Sequence, residues 1–195
     1  MEAVMSIDDA GCLQKRIREL ETENLLLRAD NKRLRNKLGA AAWRIDGRKG
    51  EEFVVELIGG TLTKGSASHD LVSAKGTTFE IKTANLNEAV SGEITNRWVW
   101  PHILGANQSK RFDRLLLLGP SDFRYRGHYS DPESPFVIFD VPYEEVRPLL
   151  GRSGLIHIST APPNVRRART SRTRELLFSR YQTTRKELKK RYSIT

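Results

Sequence analysis

The sequence predicts an α/β protein: a mixed β-sheet with helices on its faces, preceded by a coiled-coil helix and followed by a basic helical tail. Three observations predict this architecture. A leucine repeat of seven residues lies near the N-terminus, short apolar strands alternate with turns and helical segments in the middle, and positive charge is concentrated at the C-terminus. We therefore divide the chain into residues 1–39, 40–162 and 163–195.

Composition limits the class of protein. The chain has 195 residues, of which 38% are hydrophobic and 29% charged, which is typical of a globular domain with a small appendage. No apolar run approaches the roughly 20 residues of a membrane span, and the first eleven residues carry acids where a secretory signal would be basic and then apolar. Since Cys12 is the single cysteine, it forms no internal disulfide, and we expect a cytoplasmic protein.

The N-terminal repeat predicts a coiled coil. At heptad position d stand Leu13, Leu20, Leu27 and Leu34, and at position a stand Ile17, Asn24, Asn31 and Leu38. Leucine at d favours a parallel dimer, and an asparagine at a fixes the register because it pairs with its twin. The facing g and e positions carry opposite charges in the pairs Arg16 with Glu21, Glu23 with Arg28, and Asp30 with Arg35. We expect a homodimer through residues 13–38, with the helix ending at Gly39; the alternative is an amphipathic helix packed on the domain, which would leave the asparagines unsatisfied.

The central region alternates between helical and extended segments. The predicted strands cover 61–64, 69–74, 77–83, 114–118, 136–141 and 155–160. The predicted helices cover 48–58 and 143–150, with a helical or mixed stretch at 96–112. Lys75-Gly76 is a hairpin turn between the second and third strands, and the four leucines from Leu115 to Leu118 indicate a strand buried on both faces. The order of helix, three strands, helix and strand (αβββαβ) predicts a mixed sheet.

The hairpin around Lys75-Gly76 carries the candidate chemistry. In its second strand Phe79 faces the core, whereas Glu80 and Lys82 lie together on the opposite face. Pairing across the turn brings Asp70 close to Glu80, and two such carboxylates repel each other unless a cation lies between them. Mg²⁺ prefers these oxygen ligands, to which the backbone carbonyl of Ile81 adds another, and Lys82 can orient an attacking water or help to deprotonate it. The alternative is an exposed hairpin in which Glu80 and Lys82 form an ordinary surface pair.

Asp70 followed by Glu80-Ile81-Lys82, after a helix that carries an acid, resembles the PD-(D/E)XK nuclease superfamily. This group includes restriction endonucleases, Holliday-junction resolvases and repair nucleases. The resemblance covers residues 48 to 118 and the αβββαβ order, although His69 replaces the family's proline. It implies a restriction-endonuclease-like core in which Asp70 and Glu80 bind Mg²⁺, for which Mn²⁺ substitutes, and Lys82 assists the attacking water.

In that family a glutamate of the first helix often completes the metal site. Helical phase favours Glu51, which borders the apolar stripe, over Glu52, which stacks with Glu56 on the outward face.

The C-terminal tail predicts contact with nucleic acid. Residues 164–195 hold eleven lysines and arginines against two glutamates, which accounts for the whole excess charge of +9. The alternative is a solubilising or disordered tail. The candidate DNA contacts are Arg166, Arg167, Arg169, Arg172 and Arg174, joined by Gln108 and Lys110 from the segment that borders DNA in the family. Trp98 and Trp100 are expected in the core rather than stacked on bases, and the loop 121–135 is either a DNA-reading loop or plain surface.

The resemblance therefore implies a Mg²⁺-dependent endonuclease that hydrolyses DNA phosphodiesters as a homodimer, with a type II restriction enzyme as the narrower possibility. The alternatives are a non-catalytic DNA-binding or assembly protein on the same fold, and a structure-specific (junction or repair) or RNA nuclease. No glycine-rich phosphate loop is present, so we expect no nucleotide cofactor. A bacterial or phage origin follows only by analogy.

Overall fold

A computed structural model describes residues 7–63, 67–84, 86, 97–105, 109–151, 154–165 and 171–193, with side chains in the first range for 14–28, 30 and 47–63. The chain divides into two compact units, Met1–Trp43 and Arg44–Thr195. The second unit includes the basic tail, which the sequence analysis separates from the central region. No helix in the described part of the chain is long and apolar enough to cross a membrane.

The first helix, α1, spans Ile7–Ile58. The predicted helix end at Gly39 is wrong, because the helical backbone continues through this residue; an interior glycine costs about 1 kcal/mol but does not by itself end a helix. In the first unit, large apolar side chains of the predicted a and d positions are exposed, with exposed fractions of 51% for Ile17, 44% for Leu20 and 55% for Leu27. The described part of the predicted seam thus lies at the surface of the single chain.

Among the residues that the structure describes, the second unit contains a six-stranded sheet and a two-stranded sheet. The strands are β1 Thr61–Leu62, β2 Leu71–Val72, β3 Thr78–Thr83, β4 Arg97–Trp100, β5 Arg114–Pro120, β6 Phe136–Pro142, β7 Ile156–Ser159 and β8 Gln182–Thr183. The large sheet has the order β1-β2-β3-β5-β6-β8, in which only the β3–β5 pair is parallel. The prediction of a mixed sheet in an α/β protein is confirmed.

Strand β5 passes through the centre of the core, and all four of its leucines are buried. Because side chains alternate along a strand, Leu116 and Leu118 pack on one face with Val54 and Ile58 of α1. On the other face Leu115 and Leu117 join a second apolar cluster. A strand buried on both faces has no polar alternation, which is why the sequence shows an unbroken leucine run.

The tryptophan segment differs from its predicted conformation. The stretch 96–112 was expected to be helical or mixed, but β4 lies within it and pairs antiparallel with β7. The alternation of Arg97, Trp98, Val99 and Trp100 has the two-residue period of a strand. Both tryptophans are fully buried, which confirms their place in the core. Among the described residues between β3 and β5 there is no helix, so the second helix of the αβββαβ order is not observed there.

Two further segments differ in secondary structure from the sequence prediction. The helix expected at 143–150 consists of two 3-10 turns, Tyr143–Glu145 and Arg147–Leu149, because Pro148 stands at the start of the second turn and cannot donate a helical hydrogen bond. The tail contains α2 (Arg172–Leu176), a π-helical turn (Leu177–Tyr181), β8 and α3 (Arg185–Tyr192).

Helix α3 is anchored on the large sheet. Leu188 is fully buried, and the ring of Tyr192 packs edge-on against Phe79 of β3, with 4.9 Å between ring centroids. The buried carboxylate of Asp140 accepts a hydrogen bond from Arg191 at 3.0 Å and from the Tyr192 hydroxyl at 2.9 Å. Helix α3 is therefore part of the folded unit and contributes to its core.

Candidate active site

The β2–β3 hairpin places Asp70 at one edge of β3. Gly76 has a φ of +83°, which the tight turn requires and which glycine adopts without strain. The pairing of Leu71 with Phe79 continues into a hydrogen bond from the Asp70 N–H to the Phe79 carbonyl at 2.8 Å. One step further, the N–H of Ile81 donates to Asp70 Oδ2 at 2.8 Å. The Asp70 carboxylate therefore takes the place that a longer β2 would occupy, and the Ile81 carbonyl faces the same edge of β3.

Glu80 and Lys82 lie together on one face of β3, as the alternation predicted. The Glu80 side chain is fully buried, and Lys82 Nζ lies 2.5 Å from Glu80 Oε1. Burial raises the pKa of the Glu80 carboxyl, and the negative charge of Asp70 raises it further, whereas the neighbouring lysines oppose both effects. The hairpin is thus not an exposed surface pair: a buried carboxylate of this kind needs cationic partners.

A second lysine, Lys110, bridges the two acids. Its Nζ lies 2.6 and 2.7 Å from the two carboxylate oxygens of Glu80 and 3.4 Å from Asp70 Oδ1. Burial alone would lower the pKa of this ammonium, but its hydrogen bond to Glu80 and the charge of Asp70 outweigh that effect and raise it. The sequence predicted Lys110 as a phosphate contact, and the structure instead places it inside the acid cluster.

The segment before β5 holds Lys110 in place. Asp113 Oδ2 accepts hydrogen bonds from the backbone N–H and the hydroxyl of Thr78, at 2.8 and 2.9 Å, and these bonds hold the pKa of Asp113 below its usual range. The backbone N–H of Arg111 donates to the Ser68 carbonyl at 3.2 Å. The segment is therefore tied to β3 and to the residues just before β2, and no local sequence signal indicates this docking.

Glu51 of α1 faces the same cluster. Burial raises the pKa of its carboxyl, followed by the charge of Asp70, whereas Lys82 and Lys110 act in the opposite direction. Glu52 is exposed and pairs with Arg48 at 3.0 Å. The arrangement agrees with the choice of Glu51 over Glu52 as the helix residue nearest the acids.

The approach of α1 to β3 depends on Gly50, which is buried. A Cβ atom at this position would lie 2.0 Å from the Oγ1 atom of Thr83 and 3.1 Å from Leu118 Cδ1. Only a residue without a side chain fits at this separation. Gly50 thereby lets the helix bring its neighbour Glu51 up to the edge of β3.

The donor set fits a magnesium ion in its chemistry. Among the described residues, no three acidic, histidine or cysteine side chains are already arranged to hold a metal. Mg²⁺, however, is commonly bound by one or two protein carboxylates together with substrate phosphate. Asp70 and Glu80 would supply those oxygens, and the ammonium of Lys110 stands between them as a cation. Glu51 and the Ile81 carbonyl are the further oxygen donors at this edge.

The structure describes two of the DNA contacts that were predicted in the tail, and they differ in exposure. Arg172 is exposed, but Arg174 is only 1% exposed, and its Nε and Nη1 atoms have no hydrogen-bond partner among the described residues. The prediction that Arg174 is a surface DNA contact is therefore wrong, because its guanidinium lies inside the folded unit. The remaining predicted contacts, Gln108, Arg166, Arg167 and Arg169, lie outside the described residues.

Part of the tail's positive charge is neutralised within the chain. Three arginines of the tail form ion pairs with acids of the domain: Arg180 with Glu145, Arg185 with Asp131, and Arg191 with Asp140. Lys186, Lys189 and Lys190 remain exposed on α3. The surface charge available to a polyanion is therefore smaller than the sequence count indicates, and some of it lies on α3.

No protein-family model matches the chain, and no curated protein matches its sequence.

Proposed function

We propose that the protein is a Mg²⁺-dependent endonuclease that hydrolyses DNA phosphodiesters, for which Mn²⁺ substitutes as the metal. The observation that carries this proposal is the convergence of the Asp70 and Glu80 carboxylates with Lys82 at one edge of β3. Metal-assisted phosphodiester hydrolysis uses two acids and an ammonium of this kind. The backbone carbonyl of Ile81 faces the same edge of β3 and is a further oxygen donor.

The residues have separate roles in this mechanism. Asp70 and Glu80 hold the metal, and Glu51 completes its negative surroundings. When bound, Mg²⁺ supplies positive charge against the negative charge that develops on the phosphoryl group. Lys82 has three N–H donors, so it keeps its bond to Glu80 while it orients the attacking water in line with the leaving oxygen. The water oxygen forms a bond to phosphorus and gives up a proton to solvent, the bond from phosphorus to the leaving ester oxygen breaks, and that oxygen takes up a proton from solvent.

The fold supports a restriction-endonuclease-like core within the second unit. The end of α1 is followed by the antiparallel strands β1, β2 and β3, and β5 then pairs parallel with β3. This is the order that the resemblance to PD-(D/E)XK nucleases implies, except for the second helix. The candidate residues lie on β3 and immediately before β2, where that family carries its acids and lysine.

We propose further that the enzyme acts as a homodimer through residues 13–38, since a two-fold dimer presents two cleavage centres to the two DNA strands. The exposed apolar side chains at positions a and d support this assembly. The exposed lysines of α3 and Arg172 are the described tail residues suited to contact phosphates, with an affinity that falls as salt rises.

Cleavage of supercoiled plasmid in Mg²⁺ tests the catalytic site. We expect Asp70→Ala and Lys82→Ala to lose at least about 100-fold in rate, because each removes a group that contacts the reacting atoms or their metal. Glu51→Gln should slow cleavage, whereas Glu52→Gln, on the same helix but exposed and paired with Arg48, should not. Full activity of the Asp70 and Lys82 variants would refute the site.

The choice of substrate separates the related functions. Duplex, branched and single-stranded DNA and an RNA duplex, offered to the wild-type chain in parallel, distinguish a restriction-type enzyme from a junction, repair or RNA nuclease. DNA that is retained but not cut in Mg²⁺ or Mn²⁺, with no change on Glu80→Ala, would instead indicate a non-catalytic DNA-binding protein.

A further inference from the structure

We propose that Lys110 is an internal counter-ion of the Asp70–Glu80 pair, which holds the two carboxylates together in the metal-free protein and competes with the divalent cation for them. This inference rests on the metal site of the proposed function. It assigns to Lys110 a positioning role that neither the hairpin sequence nor the tail predicted.

The contacts of Lys110 match those that a bridging cation would make. Its Nζ lies within 2.7 Å of both carboxylate oxygens of Glu80 and 3.4 Å from Asp70 Oδ1. Lys82 Nζ, by contrast, forms an ion pair with Glu80 Oε1 at 2.5 Å. Of the two lysines, Lys110 is therefore the one that contacts both acids.

The burial of Glu80 makes the loss of its contact with Lys110 costly. The Glu80 side chain is fully buried, so its charge has no direct solvation by water to replace a lost partner. Removal of a cation from such a carboxylate leaves an uncompensated charge next to Asp70. The ammonium of Lys110, which contacts both side chains, therefore offsets part of the repulsion between the two carboxylates.

The same contact must be broken when a metal binds. A divalent cation needs the oxygen lone pairs of Asp70 and Glu80 that Lys110 now occupies. The Lys110 side chain is 24% exposed, and its flexible stem lets the ammonium swing towards solvent while the backbone stays in place. The metal and the Lys110 ammonium therefore compete for the same carboxylate oxygens. Part of the metal's binding free energy is used to displace the lysine.

Titration calorimetry with MnCl₂, without DNA, tests this competition on the full-length chain. We expect Lys110→Met to bind Mn²⁺ about tenfold more tightly than wild type, a coupling of ordinary size for two mutually exclusive ligands. Lys82→Met is the matched control, because it also removes one positive charge from the Glu80 environment but leaves the bridge to Asp70. Its gain should be clearly smaller.

A second measurement remains informative if the substitution lowers the stability of the protein. The thermal unfolding midpoint is recorded with and without MnCl₂, because a ligand that binds only the folded state raises the midpoint according to its affinity. The rise should be larger for Lys110→Met than for wild type. Lys110→Gln, which keeps a hydrogen-bond donor near Glu80 but no charge, should behave in the same way.

The outcomes separate this inference from the proposed function. Equal gains for Lys110→Met and Lys82→Met, or no gain for either, in a wild type that binds Mn²⁺ would overturn the competition and leave the metal site intact. Absence of Mn²⁺ binding in wild type and in all variants would overturn both. Binding that appears only in the Lys110 variants would support the competition in its strongest form.

Discussion

Replacement of Gly50 by alanine tests how closely α1 packs against β3. The added Cβ would lie 2.0 Å from Thr83 Oγ1, a distance at which one of the two elements must move. Thr83 is β-branched, so two of its three staggered rotamers place the hydroxyl or the methyl group in that space, and Leu118 Cδ1 lies 3.1 Å from the added Cβ in any case. We therefore expect the helix to be displaced from the strand, and Glu51 with it.

The magnitude follows from two opposing effects. Alanine is favoured over glycine in a helix interior by about 1 kcal/mol. Overpacking of a filled site costs about 1–3 kcal/mol, so Gly50→Ala should be neutral or should lower the free energy of unfolding by up to about 2 kcal/mol. Gly47 lies in the same helix, and a Cβ there meets nothing within 4 Å. Gly47→Ala should therefore raise the free energy of unfolding by about 1 kcal/mol.

Urea denaturation followed by tryptophan fluorescence measures both variants, since Trp98 and Trp100 are fully buried in the second unit. The difference between the two alanine variants reports the packing cost, because helix propensity is common to both. In the background of Thr83→Ala the cost of Gly50→Ala should largely disappear. The Thr83 hydroxyl has no hydrogen-bond partner among the described residues, so its removal alone should cost little. Equal stabilities for Gly47→Ala and Gly50→Ala, or no rescue by Thr83→Ala, would refute this account of the helix–strand contact.

Two other predictions concern stability and assembly. Arg185 donates two side-chain hydrogen bonds to Asp131 and holds the pKa of that carboxyl below its usual 3.8; the stabilisation is present above pH 3.8 and is lost as the pH falls through the lower pKa of the folded state. Asp131→Asn should therefore lower the free energy of unfolding by about 1 kcal/mol at pH 7. This deficit should shrink as the pH falls below 3.8, as urea denaturation at neutral and at acid pH will show. Leu20→Lys with Leu27→Lys at position d should give a monomer by light scattering, whereas Leu25→Lys at position b should leave the dimer; a dimer that survives the first change would contradict the coiled-coil seam.

Much of the second unit could be predicted from local patterns in the sequence. The alternation of residues 78–83 predicts which side chains share a face of β3, and the turn at Gly76 predicts that Asp70 returns beside them. The leucine run of β5 predicts burial on both faces. These features depend on periods of two residues and on a tight turn, which act over a few residues and are therefore visible in a short stretch of sequence.

The sequence was less informative where residues far apart in the chain meet. Position in the sequence suggested that Lys110 and Arg174 contact DNA, yet one lies among the acids and the other is buried. The charge count of the tail suggested an appendage, whereas the ion pairs of its arginines and the burial of Leu188 attach it to the sheet. Net charge does not reveal which cations have acidic partners, because those partners come from other elements.

The sequence by itself determined the hairpin, the shared face of Glu80 and Lys82, and the resemblance from which the proposed chemistry follows. Only the tertiary structure decided that Lys110 bridges Asp70 and Glu80, and that Gly50 allows α1 to reach β3. The physical reason is the range of the interactions. Backbone geometry fixes neighbours along a strand, whereas contacts across 30 or 40 residues depend on how the segments pack around the buried core.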